Sequence, residues 1–314
     1  MALCVFDIHH DGSTSVPTEQ NLRGSGRYRW WHFDVADPEL ATWAQANMPA
    51  IPAAALLDAE TRPRCDRYQN GLILNLRGIN MNEGQPAAQM VSVRMWVEQD
   101  VIVTARVRRV FALEEIRQSI LSGTPPDTVG AFLCDLVGRL TDRVQTEVLK
   151  TTALAEMFED VINEDTISDL PAELGETRRN VIRLKRYLNP QRTALHNLAT
   201  NEAPVVSDAD RLELRELSNQ TIRIVEELDS LRDQMKTVQE HYDMQAALWQ
   251  NRNSYALSAI AAVFLPLGFL TGLFGVNVGG MPGIDQPAAF AVLSISMVLI
   301  AAVAVGILRW KRWL

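Results

Sequence analysis

The chain has 314 residues, 47% apolar and 22% charged, a composition ordinary for one or two globular domains. Its formal charge of −8 is unevenly spread: Arg252, Arg309, Lys311 and Arg312 against Asp285 give residues 251–314 a net +3, which leaves −11 on the first 250. So acidic a body argues against a nucleic-acid partner, since phosphate backbones are held by clustered Lys and Arg, and fits either a solubilising surface or one that concentrates cations.

Residues 1–126 read as a cytoplasmic α/β domain. The opening Met-Ala-Leu-Cys-Val-Phe-Asp lacks the basic segment and long apolar run of a signal peptide. Cys4, Cys65 and Cys134 are odd in number and far apart, with no Cys-x-x-Cys pair, which suits a reducing compartment. Asp7, His9, His10 and Asp11 have metal-ligand side chains close to Cys4, but such a polar run also suits a loose terminus. The spacing predicts a helix over 40–48. Strands are predicted at 72–76, 91–97 and 101–105, the last two joined as a hairpin through Glu98-Gln99-Asp100. A helix over 111–121 ends at Ser122-Gly123-Thr124-Pro125-Pro126.

Beyond those prolines strands vanish, and residues 127–252 read as long cytoplasmic helices. The first runs to Asn163 with Asp127 as its N-cap, and the second from the break at Ser168-Asp169-Leu170-Pro171 to Ala199. Ser207-Asp208 caps the third. Along it Leu214, Leu217, Thr221, Ile224, Leu228, Leu231, Met235, Val238, Tyr242, Gln245 and Trp249 follow 3-4 spacing, a heptad stripe that expects helices packed along it. No Gly or Pro interrupts residues 209–265. At about 1.5 Å per residue such a rod exceeds ~80 Å, the length of a stalk rather than of a compact domain. His32, His196 and His241 stand alone, and Glu226, Glu227 and Asp229 read as a solvated face of the stalk.

Two charge-free stretches follow, each about one bilayer thickness: residues 253–278 and 287–308. A loop over 279–286 is too short for a folded domain, so the spans form a hairpin. The tail 309–314, Arg-Trp-Lys-Arg-Trp-Leu, is basic and aromatic, as is Trp249 with Arg252 before the first span. Both termini are therefore expected on the cytoplasmic side. Two helices cannot enclose a water-filled path, so conduction needs several copies. Ser254, Leu257, Ala261, Leu265, Gly268, Gly272 and Gly275 form one face of the first span, and two readings stay open for it. The small residues leave room around an ion, or Gly268-x-x-x-Gly272 packs helices closely.

The turn after that face narrows the choice. Phe264-Leu265-Pro266-Leu267-Gly268-Phe269-Leu270-Thr271-Gly272-Leu273-Phe274-Gly275-Val276-Asn277 resembles the CorA superfamily of metal-ion transporters, whose first membrane helix ends in Gly-Met-Asn. Val276 departs from that pattern. Together with the following Val278-Gly279-Gly280-Met281-Pro282-Gly283 it resembles the ZntB-type zinc transporter branch. Leu188-Asn189-Pro190-Gln191-Arg192 and Leu228-Asp229-Ser230-Leu231-Arg232 also fit the family's long helices. The resemblance covers residues 170–314 in motif and the rest in architecture.

That resemblance implies a funnel-shaped homopentamer in the bacterial inner membrane, with the first span lining the pore. Asn277 would form a ring of amides able to hold a hydrated dication, and Gly275 would allow the tight backbone beside it. Asp285, the sole loop acid, is either an entrance charge or a turn residue. A regulatory cation site between stalks is permitted. The branch implies zinc as the transported ion and a proton gradient as the drive, although neither span holds a residue to relay a proton. A magnesium, cobalt or nickel channel and a pore-free coiled-coil scaffold are the alternatives. No Walker-type P-loop, Gly-x-Ser-x-Gly elbow or His-Glu-x-x-His is present, so neither enzymatic activity, a nucleotide partner nor a cofactor is expected.

Overall fold

A computed structural model describes residues 2–18, 21–163, 172–276, 283 and 286–311. They divide into two compact units, the second beginning at Gln239.

In the first unit a seven-stranded sheet is built from β1 (Cys4–Ile8), β2 (Thr14–Ser15), β3 (Tyr28–Asp34), β4 (Arg64–Tyr68), β5 (Gly71–Gly78), β6 (Val91–Glu98) and β7 (Val101–Arg106). Their order is β2-β1-β3-β7-β6-β5-β4, and every pairing is antiparallel except β3 with β7. The hairpin expected between β6 and β7 is present, with Glu98 opposite Val101.

Both faces of the sheet are covered, so its central strands are near-continuous apolar runs. One face packs on α1 (Glu39–Asn47) and α2 (Ala50–Leu57) through Trp31, Phe33, Ile73, Trp96 and Val103. The other packs on α3 (Phe111–Leu121), α4 (Val129–Asn163) and α5 (Ala172–Thr200). Alternation along β3 divides neighbouring tryptophans between the layers. Trp30 meets Phe132 of α4 edge-on at 5.1 Å, whereas Trp31 lies 4.9 Å from Trp43 of α1.

Sequence periodicity finds β5, β6 and β7 but misses β4, and also β1 and β3, whose apolar runs are interrupted by polar residues. In β3 those residues are buried and paired. Arg29 forms a two-pronged ion pair with Asp7, its register partner on β1, at 2.5 and 2.7 Å. His32 Nδ1 lies 2.8 Å from Thr104 Oγ1. That hydroxyl donates its only proton to the Trp31 carbonyl and accepts from Trp30 Nε1, so His32 must donate through a protonated Nδ1. β4 is missed for the opposite reason, being a mostly exposed edge strand. The predicted helix over 40–48 is α1, and α2 follows it directly.

Thr128, not Asp127, caps α4: its Oγ1 accepts from the Ala131 amide at 3.0 Å, while the Asp127 carbonyl accepts from Arg27. The cap at Ser207 is as expected. Its Oγ accepts from the Asp210 amide, and the Asp210 carboxylate accepts in return from the Ser207 amide at 2.9 Å, a reciprocal capping box. These bonds start α6 (Asp208–Gly275), a helix of 68 residues. Its heptad stripe is buried at Leu214, Thr221, Ile224, Leu228, Leu231, Met235 and Val238. Within the first unit that stripe is sealed by the chain's own helices, with the pair Lys185–Asp229 reaching across from α5 and Thr152 bonding Glu227 from α4. Beyond it Trp249 is exposed. The break at 168–171 lies outside the described residues.

Candidate functional site

The second unit holds the two candidate membrane spans: the C-terminal part of α6 and α7 (Ala289–Trp310). Their most apolar windows reach mean hydropathies of 2.1 and 2.7, and only 6% of each is buried. Helices this apolar and this uncovered are solvated by lipid or by other helices, not by a core of their own chain.

The two faces of the α6 span differ. Ala259 is buried and Val263, Pro266, Leu267 and Leu270 are partly covered, on one stripe. A matching stripe on α7 runs through Leu293, Met297, Ile300, Ala304 and Leu308, and Leu270, Phe274, Leu293 and Ser296 line a shared cleft. Ser254, Leu257, Ala261, Leu265, Gly268, Gly272 and Gly275 are all exposed. With 3.6 residues per turn, this second stripe is centred roughly 180° around the helix from the first. A Cβ built on Gly268, Gly272 or Gly275 meets nothing within 4 Å. The glycines therefore do not serve packing against α7; they keep the opposite face shallow.

The helix ends at Gly275, and Val276 beyond it is exposed. Asn277 and Asp285 lie outside the described residues. α7 begins two residues later than the stretch of 287–308 suggests and continues through Arg309 and Trp310.

The N-terminal candidates do not come together. Asp7 is 5% exposed and committed to Arg29. His9 bonds Ser15 at 2.8 Å, and the Arg27 Nε donates to His10 Nδ1 at 3.5 Å. Asp11 accepts from the Ser13 amide and hydroxyl, which hold its carboxyl below the usual range. The run is thus a strand and a turn rather than a loose terminus. Among the described residues no three His, Cys, Asp or Glu side chains gather as a metal site. Burial pushes the thiols of Cys4, Cys65 and Cys134 up to about 12, so none is a ready thiolate ligand. On the stalk, Asp229 pairs with Lys185 and Arg232, whereas Glu226 is exposed.

The fold also unites residues that no spacing connects. Arg77, Arg94, Arg108, Arg183 and Arg186 line one cleft of the first unit, though they are spread over more than a hundred positions. Only the unusual Arg density of α5 hints at them.

Known proteins share this order of elements. The model of the CorA-like Mg2+ transporter protein family matches residues 25–310. The zinc transport protein ZntB of Yersinia enterocolitica is 33% identical over 299 residues, covering 91% of this chain and 88% of that protein. The divalent cation transporter CmaX of Pseudomonas aeruginosa is 32% identical over 289 residues, 91% of this chain and 87% of that one. The solved structure of full-length CmaX aligns with a TM-score of 0.86 at 28% identity, over 99% of this chain and 98% of that chain. With an α/β unit, a long helix and an apolar C-terminal helix pair all in the same order, this chain belongs to the CorA-like family of metal-ion transporters.

Proposed function

We propose that this chain moves divalent cations, zinc foremost, across a bacterial inner membrane. The path is the axis of a homopentamer lined by the α6 span, with α7 on the outside and both termini cytoplasmic. One observation carries the reading: the small-residue face of α6 is uncovered and lies opposite the face that α7 partly covers. A helix with one side against its partner and a shallow, open opposite side suits a position around a shared axis. Asn277 would ring the outer mouth with amide oxygens, which accept hydrogen bonds from a dication's water shell. Asp285 would supply negative charge at the entrance.

Zinc rests on the likeness to ZntB, which is named a zinc transport protein. CmaX, named only a divalent cation transporter, favours a second reading with a broader range that includes magnesium, cobalt and nickel. Neither span contains an Asp, Glu, His, Lys or Arg, so drive by a proton gradient would need protons to travel with water along the pore.

The test is flux into liposomes loaded with a zinc-sensitive dye, with magnesium, cobalt and nickel as competitors. Zinc uptake above that of empty liposomes, lost in Asn277→Ala, is expected. Absence of flux, or flux indifferent to Asn277→Ala, would overturn the pore and leave a membrane-anchored scaffold. Flux unaltered by an imposed pH gradient would remove proton coupling alone.

A further inference from the structure

The cleft between the β5–β6 end of the sheet and α5 has a volume of about 450 Å³, within the range of small-molecule sites. Five of its lining residues are arginines, and no Asp or Glu lines it. This is a local reversal of sign in a body whose first 250 residues are acidic.

Two of the arginines are part of the sheet. Arg94 on β6 pairs in register with Asn75, and Arg77 on β5 with Ser92, so the two stand diagonally on adjacent strands. Arg94 is 2% exposed; its Nη1 donates to the Leu56 carbonyl at 3.0 Å and its Nε meets no partner. Arg77 donates to the carbonyls of Met90 and Thr61, and its Nε is likewise without a partner. Carbonyl oxygens orient these guanidinium groups without neutralising them. Burial lowers the pKa of both; the Arg186 charge lowers that of Arg77 further, and the Arg77 charge that of Arg94. Asp58, exposed nearby, is the acid that acts on Arg94.

The remaining arginines are at the rim. Arg183 and Arg186 project from α5 one turn apart, and Arg108 follows β7. All three are exposed. Arg108 bonds the neutral Gln85 amide, and Arg186 lies 5.8 Å from the Tyr187 ring, whose centroid Arg77 approaches at 4.5 Å. Among the described residues none of the five forms an ion pair within 4.0 Å. Like charges held this close are costly unless a counter-ion joins them, and guanidinium forks match phosphate oxygens two at a time.

We infer that this cleft binds a soluble, phosphate-rich anion, with Arg77 and Arg94 as the preoriented floor and Arg108, Arg183 and Arg186 closing over it. The sequence has no Walker-type P-loop, so arginines rather than a glycine-rich loop would hold the phosphates. The inference is independent of the pore, because the cleft lies wholly in the first unit.

The probe is inorganic tripolyphosphate titrated calorimetrically into the purified full-length protein, with a nucleoside triphosphate as a second arm. Saturable binding that weakens steeply with salt is expected, and about tenfold or greater loss of affinity in Arg183→Glu/Arg186→Glu. Both side chains are exposed, so that variant retains the fold. A nucleoside triphosphate binding as well as tripolyphosphate would identify phosphate as the recognised group. No saturable binding to the wild type, or undiminished binding in the variant, overturns the inference. So does a wild type that ignores tripolyphosphate while the variant changes oligomeric mass, since carboxylates of a second copy would then be the occupants.

Discussion

Gln191 on α5 pairs its side-chain amide with the backbone of Arg77 on β5: the Arg77 amide donates to Oε1 at 2.7 Å, and Nε2 donates to the Arg77 carbonyl at 3.0 Å. The ladder between β4 and β5 ends with Arg64 opposite Asn75, two residues before Arg77. The glutamine amide continues the ladder where β4 has stopped and anchors α5 on the sheet edge.

Gln191 is 2% exposed, so removing its amide leaves two backbone groups without water to replace it. Gln191→Ala should cost about 1–3 kcal/mol. Thermal unfolding of the full-length protein measures this, and faster hydrogen exchange at the Arg77 amide would locate it.

The Asp7–Arg29 pair is buried, with both residues 5% exposed or less. Asp7→Asn strands the Arg29 charge and should cost about 3–5 kcal/mol, whereas Asp7→Leu with Arg29→Met should be far milder. A double-mutant cycle by denaturant unfolding separates these. A single Asp7 variant of unchanged stability would show that the pair contributes nothing net.

Two glycine substitutions should behave oppositely. A Cβ on Gly71 would lie 2.5 Å from Trp96 and 2.7 Å from the Val97 carbonyl, so Gly71→Ala should destabilise the first unit by about 1–3 kcal/mol. Gly272 faces open space in the single chain. Gly272→Leu should therefore leave thermal stability within about 1 kcal/mol while abolishing zinc flux. Flux equal to wild type in that variant would remove its face from the pore.

His32 gives a pH dependence with a definite sign. Burial first, then the nearby Arg106, lowers its pKa from 6.5 to about 3, against the smaller opposing effect of Glu114. Below pH 6.5 the unfolded chain takes up a proton that the folded chain refuses. Stability from this residue is thus complete above that pH and falls as pH drops toward 3, by at most about 1.4 kcal/mol per unit. Unfolding followed between pH 4 and 7 should show a shallower slope in His32→Asn, which keeps a donor for Thr104.

The parts legible in the sequence are those in which one stretch of chain meets one environment. The α7 span, the strands β5 to β7 and the heptad stripe declare themselves by local periodicity, and the cap at Ser207 by residue type, because bilayer thickness, helix pitch and pleat act on consecutive residues. The small-residue face of α6 was equally visible, but its meaning was not. Gly268 and Gly272 have the spacing of a packing motif, and only the position of α7 on the other side of the helix shows that they pack nothing in this chain. β1 and β3 were hidden because Asp7, Arg29 and His32 look like surface residues until their partners, 22 to 72 positions away, are brought beside them. The arginine cleft is the extreme case. Its arginines come from β5, β6, the segment after β7 and α5, and their burial and charge proximity exist only after the sheet has formed. Sequence alone determines that this protein has an acidic α/β body and an apolar helix hairpin, since hydropathy is a property of segments. Which polar residues are structural, and which are left unneutralised for a ligand, depends on long-range pairing, and that the tertiary structure alone decides.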